Sequence, residues 1–237
     1  MASWRGLHGM VMNSLGSRIV RGELPPGAPL EPETLMIEFE VSRTVIREAL
    51  KTLAAKGLVD ARPKLGTHAT DRSRWQLLDV DVMRWRVEGV VDRRLVLELD
   101  QVRTVIEPSA AAMAAEAHSP EQLATIREAH AKMAAAFESG DESSHVDNDV
   151  AFHLAILAAS GNELLERFEV ILEPALRARH ALATKHAASR EYLDLHLAVY
   201  EAIREGDAEA ARKRAAELMQ SSAHDLELIL NAAHVGS

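Results

Sequence analysis

The run from Glu40 to Val59, EVSRTVIREALKTLAAKGLV, constrains the fold more than any other part of the chain. Ser42 is placed to cap a helix, since its hydroxyl can accept from the unpaired amides of a first turn. Neither glycine nor proline interrupts the chain from there until Gly57. At 3.6 residues per turn Ile46, Ala49, Leu50 and Leu53 share one face. Arg43, Arg47 and Lys51 recur at i, i+4 and i+8 on a neighbouring face, with Thr44 beside them. A helix that buries one side and offers guanidinium groups from its first two turns suits the DNA major groove, where arginine pairs with guanine or clamps phosphates. A surface helix with a solvated basic stripe has the same pattern, so the flanks decide.

Upstream, Leu7, Val11, Leu15 and Ile19 repeat at i+4, which predicts an amphipathic helix ending at Gly22. Leu24-Pro25-Pro26-Gly27 is a rigid turn, and Glu31 to Phe39 reads as a short helix with Leu35, Ile37 and Phe39 available for packing. The basic helix starts three residues later, so the pair forms a helix-turn-helix. Downstream, residues 58–62 and 67–70 alternate like two strands around a Pro63-Lys64-Leu65-Gly66 turn. This is a wing with Lys64 and His68 near its tip. The expected head is a winged helix-turn-helix over residues 1–72.

Charge supports that division. The whole chain carries a net charge of −9, which by itself argues against nucleic acid. Residues 1–75, however, hold 11 Lys/Arg against 8 Asp/Glu, leaving 16 basic and 28 acidic residues for the remainder. A basic head on an acidic body attracts phosphate locally without general stickiness. With no cysteine there is no disulfide, thiolate metal site or cysteine nucleophile. No segment reaches the roughly 20 apolar residues of a membrane span, and no secretory signal is visible, so a cytoplasmic location is expected.

Residues 73–92 read as a linker helix with tryptophans at 75 and 85. From there the pattern is helical throughout, over about 93–117, 120–138, 142–159, 163–182, 190–205 and 208–232. Ser119-Pro120-Glu121-Gln122 is a capping box, and Gly140-Asp141, Gly161-Asn162 and Gly206-Asp207 each pair a helix end with a cap for the next. Pro108 and Pro174 should kink or break their helices. Short loops between antiparallel helices make residues 93–237 an all-α bundle, and the chain mostly α.

Three polar features interrupt apolar stripes in this bundle. Asp149 and His153 stand one turn apart between Val146, Val150 and Leu157; His196 lies among Leu193, Tyr200 and Ile203; Arg103 lies between Leu99 and Ile106. Buried charges need partners, whether each other, a metal, a ligand or water. Asp and His at i, i+4 form a two-point chelate that a histidine from another helix completes, although a single buried histidine is more commonly structural. His118, His130, His145, His180, His186, His224 and His234 read as surface residues.

The run GxLxPGxxL at Gly22 to Leu30, the VSRTVIREALKTLAAKGLV helix and the RPKLGT wing resemble the DNA-binding domain of GntR-family regulators. The resemblance implies operator contacts by Arg43 and Arg47 and a minor-groove wing around Gly66. Many such proteins also carry an arginine in the short second helix; here Glu31-Pro32-Glu33-Thr34 offers no basic residue. Asp149-x-x-x-His153 with Ala158-Ala159-Ser160-Gly161-Asn162, and His196 with Ala202-Ile203 and Gly206-Asp207, are similar to the FCD effector domain of FadR-type members. That likeness implies a divalent metal (Zn, Ni, Mn or Fe) held by Asp149, His153 and His196, and a carboxylate effector met by Arg103. The family's further histidine aligns with Leu218, so three ligands plus water or effector, or a metal-free pocket, are the alternatives. Trp75-x-Leu-Leu-Asp-x-Asp-Val-x-x-Trp85, Glu107-Pro108 and Ser221-Ser222 resemble repressors of galactonate and related sugar-acid catabolism.

The expected function is a ligand-responsive regulator, a repressor that binds double-stranded operator DNA as a homodimer and answers to a small carboxylate. Two rivals remain: the same reader with a metal-free acyl-chain or acyl-CoA sensor, and a metal-dependent enzyme built on Asp149, His153 and His196. No general base stands out for the latter.

Overall fold

A computed structural model describes residues 6–62, 66–88, 92–182 and 189–235. The chain divides into two compact units, Met1–Val90 and Val91–Ser237.

In the first unit α1 (Gly6–Val20) and α2 (Pro32–Phe39) precede α3 (Arg43–Ala55). Ser42 caps α3 through a bond from the Val45 amide at 3.4 Å. Glu40 closes α2 in the left-handed region, at φ 53°. Val11, Leu15 and Ile19 of α1 meet Ile46, Leu50 and Leu53 of α3 in one core, as their spacing predicts. Leu35 joins that core, but Ile37 is 80% exposed and contributes nothing to it. The wing strands β1 (Val59–Arg62) and β2 (Gly66–Ala69) are antiparallel, with Val59 opposite Ala69 and Arg62 opposite Gly66. The proline-rich turn runs along β2: Leu30 N–H donates to Thr67 O at 2.8 Å and Ala69 N–H to Ala28 O at 2.9 Å.

Among the described residues of 73–92, only part is regular. A single 3-10 turn at Arg72–Arg74 is followed by α4 (Val80–Val87), capped by Asp79. α4 packs into the core of the first unit through Val82 and Trp85. The Trp85 indole donates to Asn13 Oδ1 at 2.6 Å and lies directly over Gly16. Lys56 Nζ, at the end of α3, reaches Asp79 and Asp81 at 2.8 Å each.

The second unit is α5 (Arg93–Ala117), α6 (Pro120–Ser139), α7 (Glu142–Ala159), α8 (Glu163–Glu166), α9 (Glu169–Leu182), α10 (Arg190–Glu205) and α11 (Ala208–Val235). The predicted caps form: Ser119 and Gln122 make both bonds of the capping box, and Asp141 and Asn162 accept from their first turns. One expectation fails and another is narrowed, since of the kink or break expected at each proline no break occurs. Residues 163–182 are two helices, because the first closes at Arg167 after a single turn. Neither Pro108 nor Pro174 ends its helix; α5 and α9 run through them. Packing of a long apolar face holds such a helix together despite one missing bond. Alanines 110, 111, 114 and 115 of α5 are buried, so their small side chains let neighbouring helices approach closely. Ile126, Met133, Phe152, Leu157, Leu176 and Ile203 fill the core. No helix among the described residues is long and apolar enough to cross a membrane.

A Cβ built on Gly16 would lie 2.4–2.7 Å from three Trp85 ring carbons. Gly16→Ala is therefore expected to destabilise the first unit by about 1–3 kcal/mol, typical of overpacking, read by calorimetry as a lowered first transition with disturbed tryptophan fluorescence.

Candidate functional site

On α3 the apolar stripe faces inward, which leaves Arg43, Thr44, Arg47 and Lys51 exposed on the opposite side. Arg43 Nη2 makes an ion pair with Glu33 Oε1 of α2. Both side chains are well over half exposed, and such pairs are worth little in water, so the guanidinium is available to a stronger anion. Glu33 lies in the segment where the family resemblance leads one to expect a basic residue. Gly66 opens β2 at φ +80°, exposed and with open space where a Cβ would be. His68 is half-buried, opposite Asp60, bridged to Pro29 and in contact with Gly66 O at 3.2 Å. Lys64 lies outside the described residues.

In the bundle, Asp149, His153 and His196 come together as expected, all fully or nearly fully buried. His153 Nε2 and His196 Nε2 are 3.3 Å apart. Asp149 Oδ1 lies 3.2 Å from the latter and 3.7 Å from the former. The outer nitrogens are already committed. His153 Nδ1 meets Glu107 Oε2 at 2.5 Å, and His196 Nδ1 donates to Tyr192 O at 2.7 Å. Fixing the outer N–H in this way aims both Nε2 atoms inward, beside a carboxylate oxygen; a metal would bind there in place of the proton that His153, with its pKa at about 9, otherwise carries. Bond lengths near 2.1 Å put ligand atoms about 3.0–3.4 Å apart around one ion; two of the three separations lie in that range and Asp149 Oδ1 to His153 Nε2, at 3.7 Å, lies just outside it, so a carboxylate and two imidazoles fit a divalent metal after a small adjustment of one side chain.

The cluster extends beyond these three residues. Arg103 does not stand alone: its Nε donates to Glu107 Oε1 at 2.7 Å and its Nη2 approaches Met219 Sδ at 3.7 Å. His180 Nε2 donates to Asp149 Oδ2 at 2.9 Å, and Tyr192 Oη donates to Asp149 Oδ1 at 2.7 Å. Arg179 packs over the Tyr192 ring. His145 is buried with Nδ1 on Met133 O, one turn before Asp149. The reading of His145 and His180 as surface residues is thus overturned; His224 is exposed, and His186 lies outside the described residues. A signal existed for His145, because 145, 149 and 153 share one helical face. Arg103/Glu107 and Tyr192/His196 are likewise i, i+4 pairs. Arg179 continues the buried stripe of Leu172, Ala175 and Leu176.

Electrostatics follow from this packing. Burial pushes the Glu107 carboxyl up, but Arg103 and His153 outweigh it and hold the pKa at about 2. Burial pushes His153 down, and Glu107 and Asp149 raise it to about 9. Burial likewise opposes ionisation of Asp149, yet bonds from His153, His180 and His196 hold it well below the usual carboxylate range. Burial lowers His196, so its imidazole is neutral and can ligate.

Comparison with known proteins matches the head and the bundle each to a domain family. Residues 7–68 match the model for bacterial regulatory proteins of the gntR family, and residues 98–221 match the FCD domain. The chain is 32% identical to the galactonate operon transcriptional repressor of Escherichia coli over 92% of its own length and 96% of the relative's. It is 34% identical to the E. coli HTH-type transcriptional regulator YieP, covering 93% and 96%. Among solved structures, Lar of Listeria monocytogenes superposes with a TM-score of 0.64 at 23% identity, over 94% of this chain and 97% of that one.

Glu107 binds a proton more weakly in the folded chain than in the unfolded one, where its ordinary value is 4.5. Its contribution is present above pH 4.5 and is lost as pH falls toward 2, a change of roughly 3 kcal/mol. Urea unfolding of metal-free protein across that window should show a steep acid loss of stability, and Glu107→Gln should flatten it.

Proposed function

The chain belongs to the gntR family of bacterial regulatory proteins, with an FCD domain behind its DNA reader, and on that premise we propose that it represses an operon for a sugar acid or similar small carboxylate and is released by that acid. The relatives it matches are transcriptional regulators, and the metal-enzyme reading is set aside with them. It acts in the cytoplasm, where the operator is. It binds as a homodimer, because two-fold half-sites call for a two-fold protein. Arg43, Thr44, Arg47 and Lys51 enter the major groove, while Lys64, Gly66 and His68 of the wing follow the backbone and minor groove. The supporting observation is the exposed basic face of α3, held by a fully apolar opposite face.

In the bundle Asp149, His153 and His196 hold a divalent metal. The carrying observation is the convergence of Asp149 Oδ1 with two Nε2 atoms whose outer nitrogens are tied to Glu107 and Tyr192. A bound ion supplies a Lewis-acid centre with open positions for carboxylate or hydroxyl oxygens. Glu107 and Arg103 act behind His153, fixing its ring and proton. A second reading, a metal-free acyl sensor with the same reader, is favoured by one observation: Leu218, aligned with the family's further histidine, is buried and apolar. Effector binding is coupled to operator affinity by about 1–3 kcal/mol, the usual range for such linkage.

Arg43→Ala and Arg47→Ala should each abolish the gel shift of operator DNA selected with the wild-type protein while leaving circular dichroism unchanged; full-strength specific binding by both variants would refute the DNA assignment. Elemental analysis of protein purified without chelator should find about one divalent ion per chain, absent in Asp149→Ala. Glu107→Gln should weaken metal affinity about 10–100-fold, the usual effect of losing a partner behind a ligand. No metal in the wild type would favour the acyl sensor.

A further inference from the structure

Arg43 is the first residue of α3, and its Nη2 is in ion-pair contact with Glu33 Oε1 from the first turn of α2. The two side chains are 60% and 64% exposed, so the contact stands on the surface of the head. The backbone beneath it is fixed on both sides. Ser42 caps α3, Pro32 opens α2 and Glu40 closes it. Leu35 and Ile46, which hold the two helices onto the core, are buried. Residues 31–34 carry two carboxylates and no cation. Whatever Arg43 touches in a duplex therefore meets Glu33 as well.

Docking puts this carboxylate in a new position. A phosphate or base edge that takes Arg43 leaves Glu33 without its cation and beside a polyanion, and an ionised group that loses both partner and water is costly. A hydrogen-bond donor on the DNA answers that cost. Phosphates offer acceptors alone, and in the major groove the donors are the amino groups on cytosine N4 and adenine N6. These two are not equivalent for a carboxylate. Across an A·T pair the amino group lies between two acceptors, adenine N7 and thymine O4, and each repels the second carboxylate oxygen. In a G·C pair the cytosine amino group ends the row, with an acceptor on one side of it. Stacked base pairs are about 3.4 Å apart, a step that two head groups in contact can span.

We propose that Glu33 is a specificity-determining residue of the operator contact: its carboxylate accepts from the N4 amino group of a cytosine next to the guanine that Arg43 takes. This rests on the reading of α3 as the major-groove helix. The acidic side chain then favours the complex at one sequence and opposes it at others, because a thymine or guanine in that place presents an acceptor to Glu33.

The test is selection by the full-length protein from a duplex library of randomised sequence. The wild type should select half-sites in which a guanine adjoins a cytosine; the guanine is identified as the base whose preference weakens in Arg43→Lys. Replacing that cytosine by thymine should weaken wild-type binding at least about fivefold, the lower end of what one good base contact discriminates. The same replacement should leave binding by Glu33→Ala unchanged. Glu33→Gln should turn the preference toward adenine, whose N6 and N7 suit an amide. If Glu33→Ala keeps the wild-type preference at every position, or gains affinity equally for all sequences, the assignment is overturned while the DNA reading of α3 stands. If the wild type selects no sequence at all, that reading falls and this inference with it.

Discussion

A carboxylate with no solvent contact sets the terms for the bundle. Asp149 is fully buried, and an uncompensated charge there would cost several kcal/mol, comparable to the stability of a whole domain. Compensation comes from elsewhere in the chain: His180 from α9, Tyr192 and His196 from α10, and His153 one turn along α7. Around these, donors and acceptors alternate, from Arg103 through Glu107, His153 and Asp149 to His180. Each group is held by a neighbour of opposite character. The helices are thereby tied in a single register around one buried carboxylate.

The two units solve different problems. The first must present cations to solvent while remaining small, and it does so with an aliphatic core that Trp85 completes. The second must bury polar atoms, and it surrounds them with alanines and branched aliphatics. The charge asymmetry follows this division, with the excess of acidic residues carried outside the head.

Most of the architecture was readable from periodicity and punctuation. Helix starts at Ser42, Ser119 and Asp141 could be placed because a cap is a local event between residues three apart. Asp149, His153 and His196 stood out as polar residues in apolar stripes. The rest of the site was harder for a physical reason. Arg179 and His180 follow a run ending near the helix terminus, where polar residues usually face water, and their burial depends on α10 and α11 packing over them. Glu107 precedes a proline, and nothing local in that pair shows that its carboxylate is buried against Arg103 and His153. The split at Arg167 and the continuity through Pro108 and Pro174 were likewise decided by tertiary packing, which no local pattern encodes.

One feature of the reading head alters how binding should respond to ions. Arg43 already has an anion in Glu33, so under the proposed reading docking on a duplex would exchange that weak, solvent-exposed pair for a phosphate or a base edge. A pre-neutralised guanidinium displaces fewer condensed cations from DNA than a bare one. The operator complex should accordingly tolerate salt better than the tally of lysines and arginines on α3 suggests, and stray contacts with arbitrary DNA, which have only that displacement to draw on, should be the weaker for it.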